Sequence, residues 1–167
     1  TVSLPAGRCS YALERSPEWQ RGEGEVTLGE GDEREIAVTL ERIVDMSRQG
    51  WWAGDLHIHR DPDEIEQLMR SSDLHIGPVI TWWNNRNPWS EKALPDQPLV
   101  HFDGDRYSHL MAGEDEREGG ALLYFGLQEP LDIAGSAREY PSPMKFVREA
   151  RERDADVHID IEKPFWW

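Results

Sequence analysis

The hydrophobic pattern of the chain changes near Gly50, and this change limits the folds that the chain can adopt. Before it, "RCSYALER" and "EREIAVTLERI" alternate apolar and polar residues, while "RGEGE" and "GEGDE" supply turn residues. The pattern predicts antiparallel strands over residues 1–44, which would form the C-terminal part of a small β-sandwich domain. Ile36, Leu40 and Ile43 also fit helical spacing, so the alternative is a helix through "REIAVTLERIVDM".

Beyond this change, short apolar runs alternate with helix signals. The strand candidates are "WWAGDLHIH", "LHIGPVIT", "LVHFDGD", "RYSHLMAGE", "ALLYFGL" and "DVHIDIEKP". Asp61–Glu64 has the N-cap and the proline that begin a helix. The stretch "SPMKFVREARERDA" predicts an amphipathic helix that buries Met144, Val147 and Ala150. This order predicts an α/β domain over residues 50–167, in which ligands bind beyond the carboxyl ends of the strands.

The charge and the cysteine content limit the binding partners and the metal ligands that the chain can have. The chain has 33 acidic and 18 basic residues and a formal charge of -15, which disfavours nucleic acid and anionic membranes as partners. A single cysteine, Cys9, excludes an internal disulfide and a thiolate zinc site, so a metal would need histidine and carboxylate ligands. The expected partners are a small-molecule substrate and the remainder of a longer chain, because the sequence opens without Met and reads as a fragment. The sequence shows no targeting signal, so it leaves the compartment open. A secreted or periplasmic location of the full-length protein is compatible with it.

Two histidines, one residue apart, form the clearest chemical motif. His57 and His59 end the run "WWAGDLHIH", and alternate residues of a strand project to the same side. Imidazoles bind zinc, manganese or iron, although a solvent-facing strand gives this spacing by chance as well. Glu114 follows "SHLMAG" at a second strand end, and Glu162 closes the alternating polar positions of "VHIDIE". These four residues are the predicted metal ligands.

These motifs resemble the start of a PHP-type (polymerase and histidinol phosphatase) metallohydrolase. The resemblance covers residues 50–167 through "GDLHIH", a strand ending "PVIT", then "MAGE" and a late strand ending "KPFWW". The carbaryl-hydrolase-like CehA/McbA branch is the most similar, and its members commonly carry a β domain ahead of the hydrolase domain. The resemblance implies the first half of a distorted, seven-stranded β/α barrel that binds two or three divalent ions. In it, His57 and His59 match the opening HxH, and Glu114 matches the bridging carboxylate.

The sequence departs from the family pattern at three places. Residues 81–83 read "TWW" where the family usually has "TDH", and residues 119–121 read "GGA" where "GH" usually follows the bridging glutamate. Lys163 stands before Pro164 where "HP" usually closes the later strand. Three expected imidazoles are therefore missing, which indicates one reduced metal site or none.

The leading hypothesis is a hydrolase-like domain with one or two divalent ions. A metal-activated water would attack an ester, carbamate or phosphoester. From their loop positions, Asp61 is the candidate for orienting that water or a ligand histidine, and Arg86 or Lys163 for holding a substrate anion.

The rival hypothesis is a catalytically reduced binding module. Aromatic and amide side chains suit a carbohydrate or another flat ligand, by stacking and hydrogen bonding. The stretch "WWNNRNPW" supplies them as Trp82, Trp83, Asn84, Asn85, Arg86, Asn87 and Trp89. A third hypothesis is a truncated domain without activity of its own.

Overall fold

The computed structural model describes residues 1–164, which belong to two compact units. The first unit contains Thr1–Trp52 with Ser71–Asp73, and the second contains Ala53–Arg70 with the residues from Leu74 onward. The mixed α/β class is confirmed, with mostly strands and few helices, and neither of the two sheets in the described residues closes into a barrel. No helix within residues 1–164 is both long and apolar enough to cross a bilayer. The "FWW" end of the "KPFWW" motif lies outside the described residues.

The sheet of the first unit is a two-stranded antiparallel pair. Strand β1 is Gly7–Leu13, as "RCSYALER" predicts, and strand β2 is Gly22–Leu28. The prediction of a turn at "RGEGE" is therefore wrong, because this stretch begins β2. Its glycines serve packing: a Cβ at Gly24 would overlap the Tyr11 ring, which lies across β2.

The segment "EREIAVTLERI" forms neither a strand nor a helix. Val38 and Leu40 approach Gly22, and a single bridge joins Arg42 to Trp19. The strand prediction from the alternating pattern is wrong, because no neighbouring strand among the described residues pairs with this segment. Val38 and Leu40 are partly buried, whereas Ile36 is 44% exposed.

Within the described residues, the second unit contains one mixed sheet, one whole α-helix and the first six residues of another, which ends in Ser71 and Ser72 of the first unit. Its helices are α1 (Ile65–Ser72) and α2 (Pro143–Arg153), and its strands are β3 (Ile76–Trp83), β4 (Leu99–Phe102), β5 (Arg106–Arg117), β6 (Gly120–Phe125) and β7 (His158–Lys163). The strand order is β3-β5-β6-β7, and β4 pairs with the first part of β5. Only β3 and β5 run parallel among these named pairs. Because β3, β5 and β7 share one direction, their carboxyl ends lie at the same edge of the sheet.

The predicted strand "WWAGDLHIH" is not a regular strand. It joins β3 through two isolated parallel bridges, Gly54 to Ile76 and Ile58 to Val79. Ile58 is buried in a cluster with Ile65, Met69 and Val79 of α1 and β3. The irregular segment keeps an extended direction beside β3, so the residues that flank Ile58 still stand near the carboxyl end of that strand.

A second apolar cluster lies between the sheet and α2. The buried face of α2 consists of Phe146 and Ala150, whereas Met144 is 52% exposed, so its predicted burial is wrong. Trp82 of β3 is buried in this cluster and its Nε1 donates a hydrogen bond to the Met111 carbonyl oxygen. The other buried members are Met111, Tyr124, Leu127, Leu131, Ile133 and Val157.

The sheet is strongly curved. Four strand-to-strand steps separate the 54–58 segment from β7, which corresponds to about 19 Å in a flat sheet. Yet the His57 side chain, beside β3, lies 2.9 Å from the Glu162 carboxylate of β7. Two side chains cannot span about 19 Å. The curvature of the sheet therefore brings its two edges, the 54–58 segment and β7, to one site.

Candidate metal centre

Three ligand-type atoms meet at the carboxyl end of the curved sheet. His57 Nε2 lies 3.0 Å from His59 Nε2, and His59 Nε2 lies 3.1 Å from Glu114 Oε2. The third side of this triangle, from His57 Nε2 to Glu114 Oε2, is 3.5 Å. The structure thus brings together the three residues that "HxH" and "MAGE" identified, and the group could hold a metal ion.

The spacing of these atoms fits a small divalent ion. A tetrahedral zinc ion with ligands at about 2.0–2.1 Å separates neighbouring ligand atoms by about 3.3 Å. The three distances of the triangle lie between 3.0 and 3.5 Å. Two imidazoles and one carboxylate are also the donor set of many catalytic zinc sites. The donor chemistry and the geometry therefore both fit a small divalent ion.

Glu114 is the buried member of the group. Its side chain is only 3% exposed, and a carboxylate in such a place needs strong partners to remain ionised. Its Oε2 faces the two histidines, and its Oε1 accepts a hydrogen bond from Lys163 Nζ at 2.9 Å. Glu114 can therefore serve two cationic partners at once, one at each oxygen.

Glu162 does not stand where a fourth ligand would. Its Oε1 lies 2.9 Å from His57 Nδ1, on the ring nitrogen that faces away from the triangle. Because a carboxylate accepts, this contact favours the neutral tautomer with the proton on Nδ1, which leaves the Nε2 lone pair toward the triangle. In this structure Glu162 does not stand at the predicted direct-ligand position: its carboxylate contacts the far side of the His57 ring, as carboxylates that orient ligand histidines commonly do around protein-bound metals.

Lys163 lies beside Glu114 on the side away from the two histidines. Its Nζ contacts Glu114 Oε1 at 2.9 Å, Glu116 Oε1 at 3.0 Å and Glu162 Oε2 at 3.5 Å. Burial lowers the pKa of Lys163, but the hydrogen bonds to Glu114 and Glu116 outweigh it and raise this pKa above its ordinary value. The ammonium is committed to these carboxylates, which does not favour the predicted substrate-anion role.

A pocket of about 290 Å³ opens beside His59. Trp83 forms one wall, with its ring edge-on to the His59 ring at 5.0 Å and the Arg86 guanidinium 4.9 Å from its centroid. Three basic side chains and two acidic ones line the pocket, in a chain whose net charge is strongly negative. The lining residues are His59, Arg60, Asp61, Pro62, Glu64, Ile80, Thr81, Trp83, Arg86, Pro88, Trp89 and Lys92.

The remaining predicted site residues divide between this pocket and the scaffold. Asp61 lines the pocket and also caps the following helical turn, because its Oδ1 accepts from the Asp63 backbone N–H. Asn84 lies outside the pocket lining, and its side-chain amide binds Asp115 Oδ1 and the Glu116 backbone N–H. Asn84 thus stabilises the sheet instead of presenting its amide to a ligand.

Two residues of the site were missed in the sequence. Glu116 is a partner of Lys163, and Asp55 accepts a hydrogen bond from the His57 backbone N–H at 2.9 Å. The signal for Glu116 was present, since alternate residues of a strand share a face and Glu116 follows Glu114 by two. No signal in the sequence indicates that Glu116 contacts Lys163 or that Asp55 contacts His57.

Comparison of the chain with protein-family models, curated proteins and solved structures finds no match. The PHP-type resemblance therefore depends on the motifs around His57, His59 and Glu114.

Proposed function

We propose that this chain contains the metal centre of a hydrolase-like domain, in which His57, His59 and Glu114 hold one divalent ion. The observation that supports it is the convergence of His57 Nε2, His59 Nε2 and Glu114 Oε2 at distances of 3.0–3.5 Å. Zinc or manganese is the proposed ion, and iron is compatible with the same ligands. The resemblance of "HxH" and "MAGE" to PHP-type metallohydrolases supports the same proposal.

The proposed substrate is a small ester, carbamate or phosphoester. A bound divalent ion supplies Lewis-acid polarisation and lowers the pKa of water toward neutrality. The chain's own residues position the reactants: Glu162 fixes the His57 ring, and the pocket beside His59 receives the substrate. Arg86 stands at this pocket as a partner for a developing negative charge, and the Asp61 carboxylate is available there to accept a proton or orient water.

Metal binding is tested by isothermal titration calorimetry of the full chain with zinc and with manganese. We expect saturable binding that His57→Ala abolishes and that His101→Ala leaves unchanged. His101 is a matched control because it is exposed on β4 and stacks on Tyr107. Absence of binding that depends on His57 would refute the metal centre.

Hydrolysis is tested with the 4-nitrophenyl esters of acetate, N-methylcarbamate and phosphate. We expect release of nitrophenolate from at least one of them, loss of the activity with a chelator, and recovery on adding metal. A chain that binds metal through His57 and hydrolyses none of these classes would contradict the hydrolase part of the proposal.

The binding-module alternative is favoured by a different observation, the aromatic wall of the pocket. Trp83 and Trp89 line it together with Arg86, whereas Trp82 is buried in the core and is not available to a ligand. A tryptophan fluorescence titration with oligosaccharides, with and without chelator, separates the two functions. Saturable quenching that a chelator does not affect would favour the binding module.

A further inference from the structure

The Lys163 ammonium lies among three carboxylates, one of which is a proposed metal ligand. Glu114, Glu116 and Glu162 contribute one oxygen each, at 2.9, 3.0 and 3.5 Å from Nζ. The Lys163 side chain is only 26% exposed. This arrangement resembles the oxygen environment of a bound cation more than a surface ion pair.

The sheet holds both the glutamates of β5 and Lys163 of β7 in place. Glu114 and Glu116 alternate with Asp115 and Arg117 on β5, so the two glutamates share one face and the buried Asp115–Arg117 ion pair takes the other. On the neighbouring strand, the backbone at Gly120 lies against the Lys163 carbonyl oxygen, where a Cβ would overlap it. Lys163 is therefore held next to Glu114 by backbone packing as well as by charge.

We infer that Lys163 occupies the position next to Glu114 Oε1 that a second divalent ion would take, and that it thereby limits the centre to one ion. This inference rests on the proposed metal centre. The two sites share Glu114 as a bridge: Oε2 faces the histidines and Oε1 faces the ammonium. An ion bound by Glu114 Oε1, Glu116 and Glu162 together would need the space among these three carboxylates that the ammonium occupies.

Charge balance gives a second reason. One divalent ion and one ammonium neutralise the three carboxylates of Glu114, Glu116 and Glu162, when both histidines are neutral. A second divalent ion beside a retained ammonium would leave excess positive charge in a partly buried site, which is unfavourable. Removal of the ammonium leaves three carboxylates with one divalent ion and makes a second ion favourable.

The test is the number of manganese ions per chain, measured by calorimetry and by electron paramagnetic resonance. We expect one ion in the wild type and two in Lys163→Met, with a spin-coupled signal from the pair. Lys163→Arg keeps the positive charge, so it should remain at one ion. Lys145→Met is the matched control, because Lys145 lies on α2 over Phe146, and it should also remain at one.

The outcomes separate this inference from the proposed function. A wild type that binds no ion refutes the metal centre itself. A wild type that binds two ions overturns the inference even where Lys163→Met fails to fold. A wild type with one ion and a folded Lys163→Met with one ion of unchanged affinity overturn the inference alone, and so does a second ion in Lys163→Arg.

Discussion

The role of Glu162 can be decided by its effect on metal affinity. Its carboxylate lies 2.9 Å from His57 Nδ1, behind the ring atom that faces the proposed ion. We therefore expect Glu162→Ala to weaken metal binding without abolishing it. Glu162→Gln keeps an oxygen that can accept the Nδ1 proton, so it should weaken binding less than Glu162→Ala does.

The magnitude follows from this position. Loss of a carboxylate that orients a ligand histidine typically reduces metal affinity by about 10- to 100-fold. This corresponds to about 1.4 to 2.8 kcal/mol of binding free energy. Removal of His57, which would supply a ligand atom directly, should reduce the affinity further than this range.

The assay is competition calorimetry with a chelator of known zinc affinity. Asp160→Ala is the matched control, because Asp160 lies on the same strand two residues before Glu162. An equal loss in Glu162→Ala, Glu162→Gln and His57→Ala would show that Glu162 is a direct ligand and that the orienting role is wrong. A loss no larger than that of Asp160→Ala would show that it has neither role.

Three further predictions concern the scaffold of the site, each measured by urea unfolding. Asp115→Ala leaves Arg117, whose side chain is 3% exposed, without its buried carboxylate partner. We expect the free energy of unfolding to fall by about 3–5 kcal/mol. A decrease below about 1 kcal/mol would contradict this. Gly113→Ala places a Cβ inside the Trp82 ring, and overpacking of this kind costs about 1–3 kcal/mol or more; unchanged stability would refute the close packing. Burial lowers the pKa of His109 below its ordinary value. The unfolded chain therefore binds a proton at His109 more readily than the folded chain does. The free energy of unfolding is highest above about pH 6.5, where His109 is neutral in both states, and it decreases as the pH falls from there through the folded-state pKa. His109→Gln should flatten the decline between pH 7.5 and 5, and an unchanged slope would refute the assignment.

The sequence determined the elements whose signals are local. Asp61 caps a helical turn with Pro62 at its first position, as the residues from Asp61 to Glu64 predict. The continuous apolar run "PVIT" lies within the buried strand β3. Such signals depend on neighbours along the chain, so they can be read without knowledge of the fold.

Strand pairing could not be predicted in the same way. "WWAGDLHIH" and "EREIAVTLERI" have strand-like composition, yet one makes only isolated bridges and the other lies outside both sheets. A strand exists only where a second chain segment offers its backbone groups, and that partner is set by tertiary structure. For the same reason, the glycines at the start of β2 were mistaken for a turn.

The candidate metal centre shows the same division. The sequence identified His57, His59 and Glu114, because an HxH and an acid at the end of a predicted strand are local motifs. Only the tertiary structure decided that Glu162 lies behind His57 and that Lys163 lies on the second oxygen of Glu114. These roles depend on the curvature that brings β7 back toward the histidines, and curvature is a property of the packed sheet, in which every strand contributes to the twist.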